Sequence, residues 1–370
     1  MKVRMWALVA LAVCAAVAAG CGSSNKSSSS TSSGSSSSSS SSSKGGKVAV
    51  LLPDTKSSVR WETADRPYLA AAFKAAGIDA TIVNAQGDPS TQRSQADQAL
   101  TNGAKVILLV DLDPGSGAAI IKAAHNRGAK VIDYDRLTLG GGADYYVSFN
   151  NVTVGKLQGQ GLVNCLNQKG VKDPVVAELN GSPTDNNATL FKQGYDSVLK
   201  PLYASGKLKK GPDQSVPDWD NQKALTIFEQ MLQQTNNKIN GVLSANDGLA
   251  NSVISALNAR KLPHIPVTGQ DATAEGIQHI LAGEQCMTVY KAVKKEADAA
   301  SKLAIALIKG QAPQTNASTD NKGSKTPSVL ETPVAVTVKN IKDYIGEPDF
   351  PKREEICAGK LASKCKAIGL

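Results

Sequence analysis

Aromatic residues are scarce in this chain. Phe, Tyr and Trp make up 4% of 370 residues, and tryptophan occurs only at Trp6, Trp61 and Trp219. The chain is basic, with a formal charge of +9. Its lysines are spread out, without interleaved aromatics or a nucleic-acid motif. The charge therefore reads as a solvated surface suited to an anionic envelope, and no nucleic-acid partner is expected. Histidine is rare too: His125, His264 and His279 stand at no metal-ligand spacing from one another. The cysteines lack CxxC spacing, and there is no GxSxG elbow, P-loop or GxGxxG fingerprint. Gly140-Gly141-Gly142 reads as a turn before a strand. No cofactor and no metal are expected. The apolar run from Trp6 to Ala19 is too short to span a membrane.

That run, preceded by Lys2 and Arg4, has the form of a secretion signal, assigned to residues 1–20. Ala18-Ala19-Gly20-Cys21 resembles a bacterial lipobox, with alanine where leucine is usual. The resemblance implies that Cys21 is lipidated. Residues 21–46 are almost pure serine and form a tether with nothing to bury. Lipid and tether together place the chain outside the cytoplasm, anchored to the outer face of the bacterial cytoplasmic membrane. About 325 residues remain, enough for two lobes. Losing Lys2 and Arg4 lowers the charge from +9 to +7. Four cysteines stay in the exported part, Cys165, Cys286, Cys357 and Cys365. Four cysteines allow three pairings.

From Lys47 onward, strand and helix patterns alternate. Strands are expected at 48–52, 80–83, 106–110, 131–134 and 145–149, with helices at 67–76, 91–100 and 117–127. A second series has strands at 175–179, 241–245 and 266–269 and helices at 154–166, 190–202, 222–233, 249–260 and 274–281. A strand at 287–291, a helix at 292–309, a polar loop from Gln311 to Ser328 and a strand at 334–338 complete the chain. Two such series predict an α/β fold of two doubly wound, Rossmann-like lobes.

In such folds ligands bind at the carboxyl ends of the strands. The stretch from Gly181 to Ala188, with Asp185, Asn186 and Asn187, follows one strand and opens a helix. One residue suffices for a helix cap. Three in a row suit a polyhydroxylated ligand, whose hydroxyls pair with planar carboxylates and carboxamides. Other strand ends carry Arg60-Trp61 and Asp65-Arg66, Asp133 to Arg136, Ala245 to Asp247, Gly269 to Ala272, and Tyr290-Lys291. Trp219 lies in a loop beside the same cleft. Each cluster has an ordinary reading, as cap, ion pair or surface charge. Together they describe a sugar site, in which carboxylate, amide and guanidinium hold hydroxyls while aromatic rings stack on C–H faces.

These stretches resemble motifs of the periplasmic sugar-binding proteins of ABC importers, specifically the D-xylose-binding branch, over about residues 47–344. The resemblance implies a type I periplasmic binding protein with three crossings, at 148–151, 287–290 and 330–332. Lobe one is then 47–148 plus 289–330, and lobe two 149–288 plus 331–370. On that chain path Cys165 would pair with Cys286, and Cys357 with Cys365 as a local staple. Trp61 and Trp219 would sandwich the ring, while Arg60, Asp135, Arg136, Asp185, Asn187, Asn246, Asp271 and Lys291 hold its hydroxyls. The implied partners are a monosaccharide, first D-xylose, and a membrane permease, with the binding protein itself a monomer. Glucose, ribose, arabinose and a cyclic polyol are alternative ligands. The protein is not expected to be an enzyme. A hydrolase using Asp185 and Asp271 facing each other across the cleft is the rival, and a sugar sensor serving a membrane receptor is another. Two features depart from the family: Asn150 stands where an acidic residue is common, and the tail from Glu347 to Leu370 has no counterpart.

Overall fold

The computed structural model describes residues 46–370. The signal, Cys21 and all of the tether before Gly46 lie outside the described residues. The chain runs β1 (Lys47–Leu52), α1 (Arg66–Ala75), β2 (Asp79–Asn84), α2 (Pro89–Thr101), β3 (Ala104–Leu109), α3 (Pro114–Asn126), β4 (Lys130–Tyr134) and β5 (Tyr145–Phe149). It continues with α4 (Asn151–Gln168), β6 (Val175–Asn180), α5 (Asn186–Ala204), β7 (Lys209–Ser215), α6 (Asn221–Gln234), β8 (Gly241–Ser244), α7 (Asp247–Ala259), α8 (Ala274–Ala282) and β9 (Thr288–Tyr290). Then come α9 (Val293–Ile308), β10 (Ala317–Asn321), β11 (Ser324–Glu331) and β12 (Val334–Val336), and the tail ends in α10 (Arg353–Ile356) and α11 (Ala362–Ala367).

The first sheet has the order β10-β11-β5-β4-β3-β1-β2, parallel except for the β10–β11 hairpin. Its central strands are apolar on both faces. Val48, Val50 and Leu52 of β1 pack under α1 and α9, while Ala49 and Leu51 pack under α2 and α3. Such strands require helices on both sides, which is the doubly wound arrangement. The helices start where the sequence provides caps. Asp88 and Asp113 each accept two backbone N–H groups and are each followed by a proline that cannot supply one.

In the second lobe β6 lies between β7 and β8. Single bridges, Val242 to Val267 and Thr268 to Met287, carry the sheet across to β9, which pairs antiparallel with β12. Glycines let α4 and α5 touch backbone to backbone: a Cβ on Gly155 would meet the Phe191 carbonyl oxygen at 1.9 Å. Disulfides join Cys165 to Cys286 and Cys357 to Cys365.

Three segments pass between the sheets, after β5, after β9 and after β11. Because β9 pairs with β12, the second passage falls at Lys291–Ala292, beyond the expected 287–290. Three segments differ from expectation. The expected polar loop at 311–328 contains β10 and most of β11, joined at Lys322-Gly323, where both residues have positive φ. Strand β7, with the sequence KKGPDQS, was not expected at all; it is a half-exposed edge strand. Segment 266–269 forms bridges only, not a ladder.

Candidate ligand-binding cleft

After β1 the chain turns on Asp54, whose carboxylate accepts the Lys56 and Ser57 N–H groups at 2.7 and 2.6 Å and the Ser57 hydroxyl at 2.8 Å. A single π turn, Trp61–Asp65, follows directly. Such turns are frequent at functional sites. Here it sends Trp61 into the cleft, with its indole N–H donated to Ser57 Oγ at 3.1 Å, and folds Asp65 back onto Arg60. Arg60 is thereby held on three sides: by Asp65 at 2.7 Å, Glu296 of α9 at 2.5 Å and Asp135, after β4, at 2.9 Å. Its guanidinium lies 4.6 Å from the Trp61 ring centroid. Burial works against the Arg60 charge, but the three carboxylates outweigh it and raise the pKa. For Asp135, burial is likewise outweighed, by Arg60, Lys291 and Arg136, and the carboxyl sits below its usual range. Burial wins at Glu296, which is pushed well above the carboxylate range despite Arg60.

The second lobe presents its groups from helix starts. Asp185 caps α5 through the Asn187 N–H at 2.8 Å, and its other oxygen accepts the Trp219 indole N–H at 3.1 Å. Burial raises the Asp185 pKa although Arg136 opposes it. The Trp219 ring lies against the backbone of Gly181, where a Cβ would stand 2.0 Å from a ring carbon. Phe191 of α5 packs at 6.4 Å, nearly edge-on. Asn246 caps α7 through the Leu249 N–H at 2.9 Å. The capping reading therefore holds for Asp185, while α7 and α8 are capped by Asn246 and Thr273 and not by Asp247 or Asp271; Asp185 and Asn246 also line the cleft. Backbone strain gathers here. Asp135, Asp218, Trp219, Asp271 and Ala272 all have φ between 49° and 94°, a costly conformation for residues other than glycine.

All ten residues expected from the sequence line one cavity: Arg60, Trp61, Asp135, Arg136, Asp185, Asn187, Trp219, Asn246, Asp271 and Lys291. Ser57, Ser58, Phe191 and Gln270 complete the lining. These four were not among the chosen residues. Phe191 stands one helical turn beyond Asn187, and Gln270 adjoins Asp271, so spacing was the available signal for both. The lining holds three cations and three aspartates. Three buried atoms of it, Arg136 Nε, Gln270 Oε1 and Asp271 Oδ1, have no hydrogen-bond partner among the described residues. Arg136 Nε is 3.2 Å from Asp185, and Asp271 Oδ1 is 3.3 Å from Lys291, but neither is aligned for a hydrogen bond.

The lobes also grip each other directly. Asn187 Nδ2 donates to the backbone and side-chain oxygens of Asp135, both at 3.0 Å, and its Oδ1 accepts from Asn151 at 2.8 Å. Lys291 bridges Asp271 at 3.3 Å and Asp135 at 3.9 Å. Burial opposes its charge, yet Asp271 and Asp135 raise its pKa.

Neighbouring acids serve the frame. Asp133 receives the Thr138 N–H at 2.7 Å and does not pair with Arg136. Asp247 accepts from Gln285 and Thr288 at 2.8 Å and from the Thr273 N–H at 2.8 Å. Asp185 and Asp271 do not face each other across the cleft, as the hydrolase reading required. Both stand on the second lobe, each beside a cation of its own. The histidines lie elsewhere: His125 contacts Asp144 at 2.9 Å and His279 contacts Glu284 at 2.6 Å. Asn150 caps α4 through the Thr153 N–H and donates its own N–H to Glu331 O at 2.9 Å, tying the first crossing to the third.

Residues 48–312 match the family model described as a periplasmic binding protein domain. The chain is 36% identical over 311 residues to the D-xylose-binding periplasmic protein of Escherichia coli, covering 84% of this chain and 92% of that protein. It is 35% identical over 330 residues to the multiple sugar-binding periplasmic receptor ChvE of Rhizobium radiobacter, with the same coverages of 84% and 92%. A solved ABC transporter solute-binding protein from Clostridium phytofermentans, with bound β-D-glucose, superposes with a TM-score of 0.78 at 29% identity. The superposition covers 84% of this chain and 99% of that one. With two lobes, three crossings and this likeness along most of its length, the chain belongs to the periplasmic binding proteins, of the type I fold.

Proposed function

We propose that this protein captures one neutral monosaccharide, D-xylose first, and delivers it to an ABC importer. The observation that carries the reading is the cavity itself. Its lining sets three cations against three aspartates, and three buried polar atoms in its wall lack an aligned hydrogen-bond partner. A buried donor or acceptor without a partner costs about 1–3 kcal/mol, which a ligand hydroxyl would relieve. Trp61, Trp219 and Phe191 offer the apolar faces on which pyranose C–H groups stack. Arg136 and Asp271 stand on different lobes, so a sugar binding both favours the closed form by its differential contacts. Lipid attachment at Cys21 would keep the protein beside its permease. Catalysis is not part of this reading, because each cleft carboxylate named above already serves a cation or a helix end.

The test is intrinsic fluorescence of residues 47–370, which retain only Trp61 and Trp219, titrated with xylose, glucose, ribose, arabinose and inositol. Saturation by xylose at micromolar levels, lost in Asp271→Ala, is expected. Saturation by glucose alone would reassign the sugar. No response to any of the five, confirmed by calorimetry, would overturn the proposal.

A further inference from the structure

The tail beyond Glu347 grips both flanks of the second crossing through one carboxylate. Asp349 accepts the Tyr290 hydroxyl at 2.5 Å on one oxygen and the Lys294 N–H at 3.0 Å on the other. Helix α9 has no side-chain cap of its own, since the position before Val293 is Ala292. Asp349 therefore serves as its N-terminal acceptor from a distant part of the chain. An anion there is favoured by the exposed N–H groups and by the helix dipole.

The tail is fixed at both ends around that contact. Phe350 and Tyr344 pack on Tyr290 with centroids 5.3 and 5.5 Å away. Ile356 and the disulfide-bonded Cys365 are buried with Ile277, Ile280 and Leu281 of α8, so the tail is rooted in the second lobe. From there it reaches the first, where the Tyr68 hydroxyl of α1 donates to Pro348 O at 2.9 Å.

Lys291 lies between the two groups that Asp349 holds, and it is the residue that bridges Asp135 and Asp271 across the cleft. Its backbone belongs to a crossing that must bend when the lobes move. We infer that Asp349 is a positioning residue for the ligand site: from the tail it clamps the crossing on both sides of Lys291 and sets the place from which that ammonium reaches both lobes. The inference rests on the sugar-binding reading only for its affinity readout.

Two measurements test it. Hydrogen exchange on the full exported chain should show the Lys294 amide exchanging about tenfold faster in Asp349→Ala than in the parent, the size expected when a hydrogen bond to a charged acceptor is lost. Unchanged protection overturns the inference, and this arm needs no ligand. The second arm is a double-mutant cycle on xylose affinity. Asp349→Asn should weaken binding severalfold in the parent and do nothing more in Lys291→Met, because its effect passes through Lys291. Additive losses overturn a positioning role and leave only general stabilisation. Tyr68→Phe, which trims one half-buried hydroxyl, should reproduce a smaller part of the same change if the tail acts as one strap. A parent that binds no sugar would defeat the functional proposal above, while the exchange measurement would still decide the role of Asp349.

Discussion

The two walls of the cleft hold their polar groups by opposite means. On the first lobe, Arg60 is locked by three buried carboxylates and its position is set by ion pairing. On the second lobe, Asp185 and Asn246 are placed by the helices they cap, and Trp219 by a glycine that lets the ring lie on the backbone. An ion-paired wall is costly to desolvate and depends on every member being present. A capped wall is cheaper, because each residue satisfies backbone groups that needed an acceptor in any case. The same contrast explains where vacant hydrogen-bonding positions occur. Asp271 Oδ1 and Gln270 Oε1 lie on the capped wall and Arg136 Nε on the ion-paired one, while every nitrogen of Arg60 is already engaged. Arg60 is thus a fixed support, and Arg136 the guanidinium with a position to offer.

The largest effect is expected on the ion-paired wall. Arg60→Ala takes the guanidinium from Asp65 and Glu296 and leaves Asp135 to Lys291, and breaking a buried pair of this kind costs about 3–5 kcal/mol. Thermal unfolding should show a large drop in Tm together with loss of sugar binding; a normal Tm would mean that the wall does not depend on pairing. On the capped wall, Gly181→Ala forces the Trp219 ring off the backbone. Overpacking costs about 1–3 kcal/mol, so the fold should survive while sugar affinity falls by about tenfold or more. Unchanged affinity would show that Trp219 does not need its position.

The smallest effect separates the walls by pH. Each lobe buries one carboxyl lifted from 3.8 to about 7, Asp111 in the first and Asp247 in the second, with burial the main cause in both. Either group holds a proton in the folded chain that the unfolded chain has lost. Its contribution is therefore full below about pH 4, declines as pH rises to about 7, and is constant above that. Asp247→Asn should flatten the fall of Tm between pH 4 and pH 7 only in part, because Asp111, Asp185 and Glu296 are also raised by burial and remain. An unaltered slope, followed by calorimetry, would take Asp247 out of the account.

The doubly wound layers were legible in the sequence because their strands are apolar on both faces, as in VAVLL of β1. The elements that were missed are those for which that signal must fail. β7 is an edge strand containing Gly211 and Pro212, and β10 pairs on one side only, so neither needs an apolar run. Their stability comes from the neighbouring strand, which no local pattern records. The residues that line the cleft were legible because strand ends in this topology have one destination. Their division of labour was not. That Asn187 spends its amide on Asp135 and Asn151, while Gln270 keeps an oxygen free, depends on where the lobes meet.

The four cysteines of the described chain all fall in the second lobe; none lies in residues 47–149 or 293–331. The bond from Cys165 to Cys286 closes a ring 121 residues apart in sequence, containing β6 to β8 and most of the capped wall. On the chain-entropy view, such a ring restricts the unfolded state by about 5 kcal/mol. Under oxidising conditions the first lobe should therefore melt before the second, and a thiol reductant should abolish that order of events. The half of the cleft that has no covalent tie becomes the part of the molecule that ages first.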